Sequence, residues 1–390
     1  MATWPAVRQL DDRYLARAGP GFGEAAAGDH LQLAWALWLP GHQLEQGAAP
    51  WRDPYSFRPE ATAPPNLLGF PLALPYWPLD RVLGPVPAYN LLVLLAIVAS
   101  GGLACWWLCA LGLPGGAALA GGLAYALAPY LVAQAAAGHL AALVAALLPA
   151  MLLALERRRL VLAALALAAI PLAGQLHLAL GAIPLFLGYT WARLERRLWR
   201  PAALGVVVAA VLGGAVWLVT VPGSVASGGR SLRSVARYQA EAGDFLRREV
   251  GDQVEEFVFL GWLLPVVALV GLVLLVRTGR GRLALVLGLA VLIPSLLALG
   301  THLPTYEPLW HALPPLRFPR VPERLLPIAC LALAGLAAVA VARLRRPALV
   351  AALLLLLALD LRVSVFQAVD PASAAYGALA EPGRLLELPV

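Results

Sequence analysis

Long apolar runs, separated by short charged segments or by segments containing proline and glycine, dominate the pattern of this chain. Several runs extend for about 18 to 24 residues without a charged side chain, the length that an α-helix needs to cross roughly 30 Å of hydrocarbon. Lipid offers no partner to unpaired backbone groups, so we predict that these runs are helices. The predicted helices lie near residues 88–111, 115–133, 139–156, 160–177, 178–192, 201–221, 257–277, 282–299, 325–343 and 347–364.

Two other segments predict elements that lie along a membrane surface instead of crossing it. Residues 67–79 are apolar but too short and too rich in proline to span, and Tyr76 and Trp77 are typical of headgroup depth. In residues 232–254, apolar side chains recur at helical spacing, which predicts an amphipathic surface helix. The small residues from Gly115 to Gly122 predict close packing between helices.

Composition supports this interpretation and argues against a soluble domain. Hydrophobic residues make up 61% of the 390 residues and charged residues 13%, whereas an ordinary soluble domain has roughly 25% charged residues. A soluble fold could not bury that much apolar surface. The predicted fold class is all-α: a polytopic bundle of about ten transmembrane helices, with extracytoplasmic loops that carry short interfacial helices.

The charge pattern gives the orientation of the bundle. The formal net charge of +7 comes from arginine alone, because the sequence has no lysine. Alternate loops hold 13 arginines and only two acidic residues, Glu156 and Glu195, while the opposite face has 16 arginines and 20 acidic residues. The positive-inside rule assigns the first face to the cytoplasm, and an arginine excess confined to short loops disfavours nucleic-acid binding. These cytoplasmic loops lie near residues 157–159, 193–200, 277–282 and 343–346.

This orientation divides the chain into three parts. Residues 1–87 form an extracytoplasmic first loop with the interfacial segment, residues 88–364 form the transmembrane core, and residues 365–390 begin a C-terminal extracytoplasmic segment. The large outer loops of the core lie near 222–256 and 300–324. All histidines fall on the outer side or at its boundary: His30, His42, His139, His177, His302 and His311.

The N-terminus raises a topological question. With ten helices both ends of the chain lie outside, and the charged residues 1–87 would have to cross the membrane without a preceding helix. Residues 1–30 contain no apolar core of a signal peptide. We therefore expect that a first helix is missing from this sequence.

Asp29 and His30, in the first outer loop, are the first candidates for chemistry. A carboxylate that is ionised near neutral pH can act as a general base toward a hydroxyl group within hydrogen-bond reach. Aspartate is also a common N-cap, and Asp29 stands just before a helical pattern. The residues alone do not decide between these two roles.

A second candidate is the arginine-dense loop before the ninth predicted helix, which contains Arg317, Arg320 and Arg324. The planar guanidinium group suits phosphate oxygens. At a membrane surface the anion is a lipid phosphate, either a bulk headgroup or a polyprenyl-phosphate donor. In the alternative interpretation, these arginines form a rim and pair with Glu323, Glu307 or headgroups.

Other polar positions have simpler interpretations. His139 and His177 each stand at an outer helix end, where a histidine is more often a boundary residue than a catalyst. The alternating acids and arginines between residues 237 and 256 are typical of a solvated face. No phosphate loop, zinc-protease motif or nucleophile elbow occurs. We expect no cofactor, because no metal-ligand spacing is present, although outer carboxylates are available for a divalent metal ion.

Taken in order, several motifs resemble the GT-C superfamily of membrane glycosyltransferases that use polyprenyl-phosphate sugars, in particular its bacterial members. The first outer loop is similar to the opening loop of that family, in which an aspartate is the proposed base. The matching segments are Gly28–Trp38 with His42, Asp53–Tyr55, Gly84–Leu92, Ala128–Tyr130, Gly138–Leu140, Glu256–Trp262 and Arg317–Arg324. The family's first helix is absent, and Leu385–Val390 resembles the opening strand of an outer domain that does not follow.

The resemblance implies a hexosyl- or pentosyltransferase in the inner membrane of the cell envelope. It would move a sugar from a polyprenyl-phosphate donor to a lipid or glycan acceptor on the extracytoplasmic side, among membrane lipids and without nucleic acid. It implies the following site residues: Asp29 as catalytic base, and His30, His139, Arg317, Arg320 and Arg324 as substrate-binding residues.

A non-catalytic membrane protein on the same scaffold is the alternative, such as a lipid-linked glycan transporter or an assembly partner. Transporters bind their substrates near the bilayer midplane and carry charged or broken helices there. The apolar runs of this chain are poor in acids, with Asp360 near a helix end as the main exception, and this favours chemistry at the surface.

Overall fold

The structure is a computed structural model that describes residues 3–4, 6–17, 29–55, 65–220, 231–251, 254–317 and 321–371. Within these residues the regular secondary structure is helical apart from one pair of short strands, β1 Tyr14–Ala16 and β2 Gln367–Val369. The helices are α1 His30–Glu45, α2 Phe70–Leu83, α3 Pro85–Ala110, α4 Gly115–Ala126, α5 Pro129–Ala136, α6 Leu140–Val144, α7 Leu147–Glu156, α8 Leu160–Leu172, α9 Leu176–Arg193, α10 Trp199–Thr220, α11 Leu232–Ala236, α12 Leu263–Arg277, α13 Gly281–Ala298, α14 Tyr306–Ala312, α15 Leu326–Val341 and α16 Pro347–Asp360.

Helices occupy every run that the apolar pattern predicts to span, and the all-α fold class is confirmed. Among the described residues, four helices are long and apolar enough to cross a membrane: Pro85–Ala110, Arg196–Val219, Gly281–Ala298 and Pro322–Val341. The pair α4 and α5 makes a fifth span if it is counted as one bent helix. The chain is therefore a multi-pass membrane protein. Other predicted spans are shorter apolar helices, among them α8, α12 and α16.

The bend between α4 and α5 follows from a proline. The two helices meet at 40°, and Pro129 is the first residue of α5. A residue before proline is pushed out of the helical region, and Ala128 accordingly has an extended ψ of 119°. The predicted helix at 115–133 is thus interrupted, and the break carries α5 toward the outer end of the bundle.

The amphipathic helix predicted for residues 232–254 is wrong. Among the described residues of this range the structure has α11, a 3₁₀ turn at Ala242–Leu246 and the start of another at Val254–Glu256. The backbone N–H of Ala240 donates to the carbonyl of Ala298 at 3.0 Å, so this stretch is tied to the end of α13 and cannot continue a helical ladder. The segment predicted at 67–79 is a helix, α2, whose Trp77 indole donates to Glu45 of α1 at 2.6 Å.

Small residues allow the close packing that their spacing predicts. A Cβ atom added to Gly271 of α12 would overlap the backbone of Leu336 in α15, and one added to Gly121 of α4 would lie 3.0 Å from the carbonyl oxygen of Ala334. The central helix α15 belongs to the span Pro322–Val341, which is the most enclosed of the candidate spans, since 83% of its apolar stretch is buried. Helices α4, α12 and α13 pack around it.

The first and last described segments are joined. Strands β1 and β2 are antiparallel, with Tyr14 opposite Val369. The buried side chain of Asn90, in α3, binds this N-terminal segment: its oxygen accepts from the N–H of Leu15 at 2.7 Å, and its amide donates to the carbonyls of Leu10 and Arg13. These three hydrogen bonds of the Asn90 side chain therefore hold the N-terminal segment against α3.

Contacts gather the arginine-rich turns at one end of the bundle. Glu156 accepts from Arg193 at 2.7 and 3.0 Å and so joins the ends of α7 and α9. Arg158 donates to Glu195 at 2.9 Å, and Arg282 at the start of α13 lies 5.1 Å from the ring of Trp191. Three of the four loops that the charge pattern predicts to be cytoplasmic thus meet at one end of the bundle.

At the opposite end, Asp360 holds the start of α12. This side chain at the end of α16 accepts from the backbone N–H groups of Trp262, Leu263 and Leu264 at 2.9, 2.9 and 3.2 Å. The guanidinium of Arg248 lies 3.8 Å from the same carboxylate. The N-terminal N–H groups of a helix have no partner inside the helix, so this carboxylate explains why α12 begins at 263 instead of 257.

We expect that replacing Asp360 with alanine lowers the free energy of unfolding by about 2–3 kcal/mol, because three amides and a partly buried guanidinium lose their partner. Thermal unfolding in detergent measures the change. The control is Asp370→Ala, which removes an exposed ion pair with Arg13 at 3.2 Å and is expected to cost less than about 1 kcal/mol. Equal losses in the two variants would show that Asp360 has no special role.

Candidate active site

The first outer loop is attached to the end of α5. The backbone N–H of Arg17 donates to the carbonyl of Ala136 at 2.7 Å, and that of Asp29 donates to the carbonyl of Ala137 at 2.8 Å. The last carbonyl groups of a helix accept no hydrogen bond within the helix, so they can accept one from a neighbouring chain segment. These bonds place Asp29 beside the turn that contains His139.

Asp29 is the N-cap residue of α1, but its side chain makes no capping hydrogen bond. The side chain is 59% exposed, and the nearest basic group is the imidazole of His139, with 3.6 Å between Nε2 and Oδ2. Of the two roles that the sequence leaves open, side-chain capping is therefore not used. The carboxylate is left facing a histidine and the solvent.

Gly138 makes this arrangement sterically feasible. It has a φ of +77°, and a Cβ atom added to it would overlap the backbone nitrogen of His30 and lie 2.7 Å from the carbonyl carbon of Asp29. Only glycine adopts this conformation without strain and leaves room for the neighbouring backbone. The motif Gly138-His139 therefore positions both members of the pair.

We expect Gly138→Ala to displace Asp29 and to lower any activity of this site by at least about 100-fold, as misplacements of about 1 Å do. Gly174→Ala is a matched control, because Gly174 has a φ of +78° in an equivalent turn but its nearest neighbour is Leu68 at 3.5 Å. Both variants carry the same backbone strain, of order 1–3 kcal/mol. Activity and thermal stability measured together separate strain from displacement, and equal activity losses would contradict this role for Gly138.

The imidazole of His139 connects two carboxylates. Its Nε2 lies 3.6 Å from Asp29 and 4.0 Å from Oε1 of Glu255, which comes from the outer loop before α12. Its Nδ1 is hydrogen-bonded to the side-chain oxygen of Gln134, while the Gln134 amide donates to the carbonyl of Val254 at 3.1 Å. An amide oxygen only accepts, so Nδ1 carries a hydrogen and Nε2 is turned toward the carboxylates.

Several buried polar atoms near His139 have no hydrogen-bond partner among the described residues. The atoms concerned are Tyr130 Oη, His177 Nε2, both carboxylate oxygens of Glu323, and Arg324 Nε. Buried polar atoms in native proteins are nearly always paired with protein, water or a ligand. Four such side chains together therefore indicate a binding site for a polar ligand or for water.

These side chains form one electrostatic cluster with His139 and Glu255. The charge of Arg324 and that of His139 both act on His177, and Tyr130 is within range of Glu323, Arg324 and Glu255. The 3₁₀ turn Pro322–Leu325 carries the guanidinium and the buried carboxylate. This turn packs against α9, where Gly181 leaves room for Leu325. The exposed carboxylate of Asp29 and the partly exposed guanidinium of Arg324 are therefore candidates for one site.

Comparisons with known proteins give one structural neighbour. No family model matches the chain, and no curated protein matches it. The chain is similar to the crystal structure of ArnT from Cupriavidus metallidurans bound to undecaprenyl phosphate, with 21% sequence identity and a TM-score of 0.48. The match covers 86% of this chain and 57% of that one, so the chain spans little more than half the length of that protein.

The three arginines predicted to bind phosphate have different surroundings. Arg324 belongs to the buried cluster. Arg317 donates to the carbonyls of Trp310 and His311 at 3.2 and 2.7 Å and so closes the end of α14. Arg320 lies outside the described residues. The pairing with Glu323 that the rim interpretation proposes is not formed among the described residues, and Glu307 lies 3.8 Å from His311.

His30 is fully buried, and the structure gives its ring no hydrogen-bond partner among the described residues. Its ring centroid lies 5.5 Å from that of Tyr14. Burial lowers the pKa of His30 to about 4, so the imidazole is neutral near pH 7. The predicted role of His30 in substrate binding stays a prediction.

Glu255 and Gln134 are site residues that the sequence did not reveal. Glu255 stands in a stretch of alternating charges that is typical of a solvated face, yet its side chain is only 18% exposed. Burial, together with the carboxylates of Asp244, Glu241 and Glu255, raises the pKa of the adjacent Glu256. Gln134 falls within an apolar helix run and has no motif. The expectation of no metal site is untested, and the described residues include no group of three or more histidine, cysteine or acidic side chains that could hold a metal.

Proposed function

We propose that this chain is a membrane glycosyltransferase that moves a sugar from a polyprenyl-phosphate donor to an acceptor hydroxyl on the extracytoplasmic side of a bacterial inner membrane. The observation that supports it is the combination of an exposed carboxylate, that of Asp29, with a partly buried cation, that of Arg324. Asp29 lies 3.6 Å from His139, and His139 and Arg324 both act on His177. In glycosyl transfer from a lipid phosphate, a carboxylate can act as the general base and a cation can stabilise the departing phosphate.

Asp29 is the general base of the proposed reaction. Its carboxylate takes the proton of the acceptor hydroxyl while the hydroxyl oxygen attacks the anomeric carbon of the donor sugar. The bond between that carbon and the phosphate oxygen breaks, and the phosphate leaves with the bonding electrons. Asp29 then releases its proton to solvent, to which the side chain is open. His139 and Glu255 orient the base and the acceptor.

Arg324 stabilises the phosphate as it leaves. The Arg324 side chain is only partly exposed and its Nε is buried, so water screens its guanidinium less than it would at the surface, and its interaction with developing negative charge is stronger. Tyr130 and His177 can supply further hydrogen bonds, since their polar atoms have no other partner among the described residues. Glu323 would repel a phosphate as an anion, so we expect it to hold a proton in the donor complex and to donate a hydrogen bond.

Arg317 and Arg320 have secondary parts in this proposal. Arg317 would have to release the carbonyls of Trp310 and His311 before it could bind a phosphate. Arg320 lies outside the described residues, and its part in binding the donor stays a prediction. The phosphate is therefore assigned first to Arg324.

Reconstitution of the chain in liposomes tests this function. A panel of synthetic polyprenyl-phosphate hexoses and pentoses is supplied with an extract of bacterial envelope lipids and glycans, and the release of polyprenyl phosphate is measured. We expect one donor to be consumed, and only when the extract is present. If no donor is consumed but an intact donor crosses the bilayer, the chain is a transporter and the proposal is wrong.

A further inference from the structure

A second candidate site lies at the arginine-rich end of the bundle, away from the site described above. A groove of about 450 Å³ runs between α3, α7 and α8, within the roughly 300–1,000 Å³ of small-molecule sites. Its walls are apolar, and its mouth is at the turn between α7 and α8: Leu103, Trp106, Ala150, Leu153, Leu162 and Ala166 line it, with Arg157 and Arg159 at one end.

The two arginines at the mouth are not neutralised by acids. The acidic residues of this face are already paired: Glu156 accepts from Arg193 and Tyr189, and Glu195 binds Arg158 and Arg197 at 2.9 and 2.7 Å. Within the part of the chain that the structure describes, no ion pair includes Arg157 or Arg159. Two guanidinium groups thus remain for an anion from outside the protein.

The backbone of the turn separates the three neighbouring arginines. Arg158 has a φ of +57°, a left-handed conformation that is rare for a residue with a side chain. It directs its side chain to Glu195, while Arg157 and Arg159 line the groove. The turn therefore presents two charges to the groove and keeps the third away from it.

We propose that this groove binds one anionic phospholipid, with the phosphate between Arg157 and Arg159 and an acyl chain along the apolar wall. Charge complementarity supports this occupant, because two guanidinium groups suit a phosphodiester. The wall offers no polar partner and therefore suits an acyl chain. The position also supports it: the positive-inside rule places this end at the cytoplasmic leaflet, which carries the anionic lipids. This site is independent of the proposed glycosyl transfer.

Lipid retention by the purified chain tests the proposal. The chain is incubated in detergent with phosphatidylglycerol or phosphatidylcholine, and bound lipid is counted by native mass spectrometry. We expect phosphatidylglycerol to be retained at least about tenfold better, and the double variant Arg157→Gln, Arg159→Gln to remove that preference. Arg158→Gln, which removes one positive charge from the same turn but none from the groove, should keep it. Inorganic phosphate in excess should not displace the lipid, since it cannot occupy the apolar wall.

A second variant keeps the proposal testable if the double variant does not fold. Ala150→Phe fills the apolar groove without changing any charge and should lower retention of phosphatidylglycerol to the level of phosphatidylcholine. Equal retention of both lipids by the unaltered chain would overturn the proposal. So would an equal loss in Arg158→Gln and in the double variant, because general attraction of lipid to a basic surface would then explain the binding.

Discussion

Replacing Asp29 with asparagine is expected to lower the rate of sugar transfer by about 10²–10⁴-fold, the usual contribution of a positioned general base. Asparagine has the same size but cannot take a proton. Because the Asp29 side chain is 59% exposed and makes no capping bond, the thermal stability of the variant should be nearly unchanged. The rate of polyprenyl phosphate release and the unfolding temperature are measured on the same preparation.

Two companion variants decide whether the effect belongs to Asp29. Asp12→Asn, in the exposed N-terminal segment, should leave the rate unchanged. Glu255→Gln removes the second carboxylate beside His139 and should lower the rate less than Asp29→Asn does. If Glu255→Gln abolishes transfer while Asp29→Asn retains most of it, Glu255 is the base and the assignment is wrong.

Replacing Arg324 with glutamine is expected to lower kcat/KM for the lipid-phosphate donor by about 10²–10³-fold, the size of a lost electrostatic contact to developing charge. The Arg324 side chain is partly exposed, but its Nε lies among buried polar atoms. Arg324→Lys keeps the charge without the planar fork and should have an intermediate effect. Donor consumption under saturating and subsaturating conditions measures the change.

Arg317→Gln is the control for this prediction. The Arg317 side chain is engaged with the backbone carbonyls that end α14, and its loss should reduce thermal stability more than catalysis. If Arg317→Gln lowers kcat/KM as much as Arg324→Gln does, both arginines hold the phosphate. If only Arg317→Gln has an effect, the phosphate site is not in the buried cluster.

The helices could be predicted from the sequence because the thickness of a bilayer fixes how long an apolar run must be. Pro129 even shows why the second run bends. The start of α12 could not be predicted, because Asp360, nearly one hundred residues away in the chain, supplies its cap. The surface helix predicted at 232–254 does not form for a similar reason, because a long-range hydrogen bond to Ala298 competes with the local pattern.

The candidate site shows the same division between local and distant information. Asp29 and Arg324 could be proposed from the sequence because a carboxylate can act as a general base and a guanidinium group suits phosphate oxygens. The contact of Asp29 with His139 depends on the bond to Ala137 and on the shape of Gly138, which no spacing in the sequence reports. Glu255 was hidden because an alternating charge pattern is the same for a solvated segment and for one that turns a single carboxylate inward.

The sidedness of the bundle is the claim on which the account depends, and cysteine labelling in intact cells measures it. In a variant whose Cys105, Cys109 and Cys330 are replaced by alanine, Leu31→Cys places an exposed thiol beside Asp29, and Arg158→Cys places one in a cytoplasmic turn. A membrane-impermeant maleimide should label position 31 in intact cells and position 158 only after lysis. Labelling of position 158 but not position 31 in intact cells would put Asp29 on the wrong side and contradict the proposed function.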